Sequence, residues 1–353
     1  MHPATQSLAL LLTGALLTVR AHGPEVVHEY VQNEGSGQVV RTFGVRVPEL
    51  GGTSALVCLH AAGGDRMACD MFMASTLDFS VQESMHLVSL DALNGMWSHD
   101  HPVAATQEVQ FVDHVVDVLR QVYGVKRSIL LGISRGAAML HRVLVESASP
   151  WIVGGVAVAT QLPRDLYTNG NFVLASGPVH PIPRSLVLLL GEKDDLMPNE
   201  FSPFQASIIP AWDAAQSAHA YAVAYNPTAP DRLNLTLQGE KAYSVFYPNV
   251  EAHVVLEANH GVVTQEAGRR LLNRNALIGD TCEDHKSDCD AREPTCSSSE
   301  KTRWQCASTC FPFLARDERP YSECSIHRSE GKCFKRSVSR RCERTCCGLK
   351  KKR

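Results

Sequence analysis

The chain has 353 residues, 44% hydrophobic and 20% charged, with a formal net charge of −3. That excludes a disordered or fibrous protein and allows one large enzyme domain plus a smaller unit. The charge is uneven: residues from Cys282 onward hold 17 Lys/Arg and 11 Asp/Glu, about +6, leaving about −9 on the rest. Two units with different surfaces follow from that asymmetry.

In chain order, Leu8 to Val19, "LALLLTGALLTV", is an apolar run of signal-peptide length. It is too short to cross the roughly 30 Å bilayer core comfortably. Val19-Arg20-Ala21 places small residues for cleavage after Ala21, so residues 1–21 are expected to be a signal peptide and the mature chain extracellular. No other segment reaches about 18 apolar residues, so no membrane anchor is expected.

Gln38–Val47 alternates loosely and predicts an antiparallel, edge-type strand. Ser54–His60, "SALVCLH", is a continuous apolar run, as in a strand buried on both faces, and "AAGGD" follows as a glycine turn. His86–Leu90 predicts another strand. Val109, Val112, Val116, Leu119 and Val122 share one face of a predicted helix over 109–122, with Gly124 stopping it. Ser128–Ile133 predicts a buried strand and Ala137–Glu146 a helix. Val153–Ala159 and Ser185–Leu190 are two more buried strands. Ala211–Ala222 predicts a helix, Ala252–Glu257 the last strand and Val263–Arg274 the last helix. Apolar strands alternating with helices predict an α/β fold, a doubly wound and mostly parallel sheet, over residues 22–279.

Gly132-Ile133-Ser134-Arg135-Gly136 reads G-x-S-x-G, with a buried strand before it and a helix after it. In that setting the serine sits in a strained turn. Side chains at the two glycine positions would clash with neighbouring strands. Ser134 is the candidate nucleophile, at a helix N-terminus whose dipole favours developing negative charge. A serine hydroxyl needs a base, and the base needs a carboxylate to orient it. In this fold the chain order is Ser, then Asp/Glu, then His. "RSLVLLLGEKDDLMP" offers Asp194 or Asp195, which spacing hardly separates. "VVLEANHGVVTQE" offers His260, in a loop beside Gly261. His253, within the last predicted strand, is the rival, and His260 is favoured. The oxyanion needs two backbone N–H donors. Arg135, next to the nucleophile, supplies one. Ala62 in "LVCLHAAGGD" is chosen for the other, with Ala61 as alternative.

Ten of the 12 cysteines lie between Cys282 and Cys347. Such density reads as a disulfide scaffold in an oxidising compartment, not a metal site. Cys58 and Cys69 could equally be bridged or free. Asn234-Leu235-Thr236 is an N-glycosylation sequon. The terminal "GLKKKR" lacks interleaved aromatic residues, so nucleic acid is not an expected partner.

These pieces together resemble the secreted esterase family of polyhydroxybutyrate depolymerases and feruloyl esterases, over roughly residues 38 to 275. "LVCLHAAGGD" matches its strand and LHGxGGD loop. "EVQFVDHVVDVLRQVYGVKRSILLGISRGAAM" matches its long helix, strand and elbow. "LLLGEKDDLMP" matches its acid loop and "EANHG" its histidine loop. The resemblance implies an α/β-hydrolase fold with Ser134 as nucleophile, Asp194 as acid and His260 as base. It selects Asp194 because the family's acid precedes a proline by four, as Asp194 precedes Pro198. The chain departs from the family at Ala61 (Gly), at Asp195 (often Pro), before Gly191 (often His-Gly) and at Val262-Val263 (Trp-Pro). These changes alter the pocket rim and remove no catalytic group. The tail, residues 280–353, resembles two degenerate sea-anemone-toxin (ShK-type) modules. They run Cys282, Cys289, Cys296, Cys306, Cys310 and then Cys324, Cys333, Cys342, Cys346, Cys347.

The expected function is a secreted serine esterase working through an acyl-enzyme without metal or cofactor. Its expected partner is an ester substrate, polymeric in form: feruloyl or acyl esters of polysaccharides, or polyhydroxyalkanoate polyesters. The tail is a candidate for binding a glycan, a surface or a protein. The alternatives are a non-catalytic binding protein acting through its tail, and a lipase or peptidase using the same triad.

Overall fold

The computed structural model describes residues 25–275, except 35–36, 49–51, 198–208 and 239–241. The expected signal peptide, the boundary near Gly279, Pro198 and the ten tail cysteines lie outside the described residues.

The strands are β1 (Val26–Glu34), β2 (Gly37–Arg46), β3 (Ser54–Leu59), β4 (His86–Leu90), β5 (Arg127–Ile133), β6 (Ile152–Val158), β7 (Tyr167–Thr168), β8 (Asn171–Leu174), β9 (Gly177–Val179), β10 (Ser185–Gly191), β11 (Thr236–Gln238), β12 (Ala242–Tyr247) and β13 (Val250–Val255). The helices are α1 (Arg66–Thr76), α2 (Phe79–Ser84), α3 (Pro102–Tyr123), α4 (Arg135–Glu146), α5 (Ala214–Tyr225) and α6 (Glu266–Asn275). One ten-stranded sheet runs β1-β2-β4-β3-β5-β6-β10-β13-β12-β11. Its six central strands are parallel, and antiparallel pairs extend both edges. This is a mostly parallel, doubly wound α/β-hydrolase sheet.

The central strands read as continuous apolar runs because both of their faces are covered. Leu56, Cys58, Ile129, Leu131, Val187 and Leu189 face one layer, with Met73 of α1 and Leu272 of α6. Val57, Leu59, Leu130, Leu186, Leu188 and Leu190 face the other, with Val112 of α3, Leu140 of α4 and Ala218 of α5.

Several elements differ from expectation. β2 is internal, because β1 pairs along its outer side. α3 starts two turns before the predicted position: Pro102 stands in its first turn, and His101 Nδ1 accepts from the Ala104 N–H. Pro is suited to that position, where its missing N–H costs nothing. Val122, placed on the buried face, is 65% exposed. α5 starts at Ala214 because Asp213 Oδ1 caps it, accepting from the Gln216 N–H at 2.6 Å. The last helix begins later than predicted, at Glu266, after a 3-10 turn over Val262–Thr264. Elements not anticipated are β1, α1, α2, the small three-stranded sheet β7-β8-β9, and the β11-β12 edge.

Candidate active site

Three parallel strands of the sheet deliver three side chains to their C-terminal ends. β5 ends at Ile133, and Ser134 follows with φ 52° and ψ −118°. An L-residue rarely adopts that backbone, and holding it costs about 1–3 kcal/mol that the surroundings must offset. They do so with hydrogen bonds. The Ser134 N–H donates to Val158 O at 2.8 Å, and its carbonyl accepts from the Ala137 N–H and the Thr160 hydroxyl, each at 2.8 Å. The two glycines serve close approach, though not both against strands. A Cβ on Gly132 would stand 2.5 Å from Ala137 Cα in α4, and one on Gly136 would stand 2.1 Å from Leu59 O in β3.

β10 leads to Asp194, which is fully buried. Its Oδ1 accepts from the Leu196 and Met197 N–H groups at 2.9 and 2.8 Å. β13 leads to His260. The His260 Nδ1–H donates to Asp194 Oδ2 at 2.9 Å, and its Nε2 accepts from Ser134 Oγ at 2.9 Å. The carboxylate thus fixes the tautomer that leaves Nε2 free to accept a proton. Ser134 and His260 are 126 residues apart, His260 and Asp194 66.

Both rivals fall elsewhere. Asp195 is exposed. His253 is 1% exposed within β13, opposite Ser244 of β12. Its Nε2–H donates to Glu251 Oε2 at 3.0 Å, and its Nδ1 accepts from Ser244 Oγ at 2.8 Å. Glu251 is partly exposed, but Ser244 is only 2% exposed, so the hydroxyl of that serine–histidine–glutamate array is closed to substrate. It holds the β12-β13 pair together.

The turn after β3 lies against the elbow, since Gly136 packs on the Leu59 and His60 carbonyls. Its Ala62 is exposed and Ala61 half-buried. Neither of their N–H groups, nor that of Arg135 at the start of α4, has an acceptor among the described residues.

Three residues that support this geometry are not among the expected site residues. His60 is 1% exposed. Its Nδ1–H donates to Ala61 O at 2.7 Å and its Nε2 accepts from the Ala92 N–H at 3.1 Å. Burial lowers its pKa, which keeps it neutral and able to make both bonds. Trp97, fully buried, donates its indole N–H to His60 O at 3.0 Å. Arg135 Nε donates to Trp97 O at 2.8 Å. One path of hydrogen bonds therefore joins the residue after the nucleophile to the turn after β3. Thr160 is the third, holding the elbow carbonyl. The signal for His60 was its place at the end of a buried strand and within the "LVCLHAAGGD" loop match; Trp97 and Thr160 carried none. Cys58 of β3 and Cys69 of α1 form a disulfide. The described residues hold no cluster of three metal-ligating side chains.

The fold and site define a class: an α/β-hydrolase fold carrying an assembled Ser–His–Asp triad. No family model matches the chain, and no curated protein matches it. Among solved structures it is similar to an esterase of Pyrococcus furiosus, at 16% identity and TM-score 0.46, over 72% of this chain and 90% of that one. It is also similar to a poly(3-hydroxybutyrate) depolymerase of Bordetella parapertussis, at 14% identity and TM-score 0.47, over 73% and 90% of the two chains. A third is a naproxen esterase of Bacillus subtilis, at 14% identity and TM-score 0.41, over 72% and 91%. At that distance no substrate transfers between chains, and the chemistry rests on the site's own geometry.

Proposed function

We propose that the chain is a secreted serine esterase. The observation that carries the chemistry is the unbroken array from Ser134 Oγ to His260 Nε2 and from His260 Nδ1 to Asp194, each step 2.9 Å. Ser134 Oγ attacks the ester carbonyl carbon while His260 Nε2 takes the hydroxyl proton. The carbonyl oxygen becomes an oxyanion and accepts from the Arg135 and Ala62 N–H groups. The intermediate collapses, the alkoxide leaves with the proton from His260, and an acyl-Ser134 remains. Water then attacks the acyl carbon, giving a proton to His260. The second intermediate releases the acid and Ser134 regains its proton. Asp194 keeps the imidazole oriented throughout and stabilises it when protonated.

The substrate class proposed is polymeric: feruloyl or acyl esters on polysaccharides, or polyhydroxyalkanoate chains. The family resemblance of the loops supports it. Secretion is supported by the N-terminal apolar run, by the Cys58–Cys69 bridge, which suits an oxidising compartment, and by an exposed sequon at Asn234. The cysteine-rich tail is proposed as a disulfide-stapled module that binds a glycan, a surface or a protein. The intact triad argues against a mere scaffold for that tail.

A fluorophosphonate probe tests the chemistry. It should label the purified chain and fail on Ser134→Ala; an unlabelled chain, or labelling that survives the substitution, overturns the esterase reading. Turnover of feruloyl, acetyl and hydroxybutyrate esters, beside a long-chain lipid ester and a peptide, then separates the substrate classes.

A further inference from the structure

We propose that the Cys58–Cys69 disulfide positions the oxyanion turn, so that both cysteines act on acyl transfer without touching substrate. This inference rests on the esterase reading and adds a determinant outside the triad.

The bridge brackets the turn in sequence. Cys58 lies in β3, two residues before His60, and Cys69 lies in α1. The chain they enclose holds His60, Ala61, Ala62, Gly63 and Gly64. The turn has little of its own to hold it. Ala62 and Gly63 are exposed, and Gly63 sits at φ 73°. Its one internal backbone bond is Gly64 N–H to Ala61 O at 3.1 Å, and the Gly63 N–H donates out of the turn to Gly95 O at 2.9 Å. Beyond that single contact, its position is inherited from its two ends. The strand end is fixed by His60, through Ala92 and Trp97. The helix end is Asp65, whose Oδ1 caps α1 by accepting from the Ala68 N–H at 2.9 Å.

The helix end is thus only as fixed as α1, and α1 is thinly anchored. Of its eleven residues it buries Cys69, Met73 and Thr76. Met67 and Met71 are 59% and 65% exposed. Its other ties are polar: Arg66 to Glu25 and to Asp91, Asp70 to Arg46 and to Ser89, and, at the end far from the turn, Thr76 O accepting from Asn273 Nδ2 of α6 at 2.8 Å. The Arg66 and Arg46 pairs reach solvent, and pairs of that kind hold weakly. The disulfide is a covalent tie at a fully buried position, with Cα atoms 5.9 Å apart. It supplies what the small apolar face of α1 lacks. Oxyanion donors act only when placed to within a fraction of an ångström, and a shift of about 1 Å costs on the order of 100-fold in rate. The triad stands on β5, β10 and β13, outside the stretch of chain that the bridge encloses.

The test uses the full chain and two double variants, Cys58→Ala/Cys69→Ala and the volume-keeping Cys58→Val/Cys69→Ala. A soluble p-nitrophenyl ester is the substrate. The expected result is a kcat lower by about 10- to 100-fold with KM within about threefold. Fluorophosphonate labelling should slow by a like factor, and the acid limb of the kcat/KM profile should stay where it is. That limb reports the His260–Asp194 pair, so it separates a displaced turn from a general loosening. A kcat equal to that of the parent overturns the inference. So does a shifted acid limb, or loss of folding in both variants, which would make the bridge a tie of the whole fold. A parent chain without esterase activity overturns the esterase reading itself, and the bridge's role with it.

Discussion

Gly136 lies directly against the carbonyl of Leu59: a Cβ there would stand 2.1 Å from that oxygen and 2.6 Å from His60 O. The nucleophile elbow and the turn after β3 are thereby set at a distance that only glycine allows. Gly136→Ala must push β3 and α4 apart, and neither can yield as a flexible side chain would. Backbone displacement in a packed interior costs about 1–3 kcal/mol or more. The expected outcome is a kcat/KM lower by at least about 100-fold, with a melting temperature several degrees down. A variant that melts lower yet keeps full kcat/KM would show that the contact is for packing alone.

The two histidines near the end of the domain should separate by the kind of damage they cause. His260→Ala removes the base and should lower kcat by about 10⁴-fold or more, without lowering the melting temperature; Asp194→Asn, which loses the tautomer control, should do much the same. Asp195→Asn, at an exposed position, should stay within a few-fold of the parent. His253→Gln should keep kcat but lose stability, because Ser244 and Glu251 lose a buried partner worth about 1–3 kcal/mol. Ester turnover paired with thermal melts reads both effects, and the assignment fails if the two histidines exchange phenotypes.

Much of this site was legible because its chemistry is local in sequence. The elbow, the acid loop and the histidine loop each follow a buried strand, and both signals fall within about a dozen residues. Choosing between His260 and His253 was harder, since it turns on whether the histidine stands in the ladder or beyond its end. His253 pairs across to Ser244, and register of that kind is tertiary. β1 escaped notice because its inward residues include polar ones: Gln32 bonds to Gln107 O, and Tyr30 stacks on His114 of α3. α1 escaped because it buries only Cys69, Met73 and Thr76, while the apolar Met67 and Met71 face solvent and blur its inward face. The Cys58–Cys69 pairing was open for the same reason. Only the seating of α1 over β3 brings the two sulfurs together.

Arg184 shows how a buried charge can stabilise a turn. It is 3% exposed and donates to Leu144 O, Ser147 O, Ser149 O and Ile152 O at 2.8 to 3.0 Å. Two of these carbonyls lie at the end of α4 and just after it, where the helix leaves acceptors unpaired and its dipole favours a cation. Burial lowers its pKa, yet an arginine stays protonated there. Arg184→Met keeps the length and strips the donors, leaving buried carbonyls without partners. The expected loss is about 3–5 kcal/mol in urea unfolding, with kcat kept near the parent value while the protein is folded. A loss under about 1 kcal/mol would mean that water satisfies those carbonyls as well as Arg184 does.

The pH dependence of stability should be dominated on its acid side by enclosed histidines. His141 of α4 is fully buried; its Nε2–H faces Thr160 O at 3.4 Å and its Nδ1 accepts from the Tyr221 hydroxyl at 3.0 Å. Burial lowers its pKa from 6.5 to about 4, and His99 nearby pushes in the same direction. The unfolded chain therefore takes up a proton below pH 6.5 that the folded chain refuses. The neutral imidazole's contribution is complete above pH 6.5, declines as pH falls toward 4, and levels off below. At about 1.4 kcal/mol per pH unit, this one group accounts for a loss of roughly 3 kcal/mol. His28, His60, His86, His99 and His114 are shifted the same way by burial and add to the slope. Urea unfolding from pH 7.5 to pH 4.5 should show stability falling steadily. His141→Gln, which cannot titrate, should reduce that slope by about one proton between pH 6 and pH 4.5. Equal slopes for parent and variant would place the acid sensitivity on other groups.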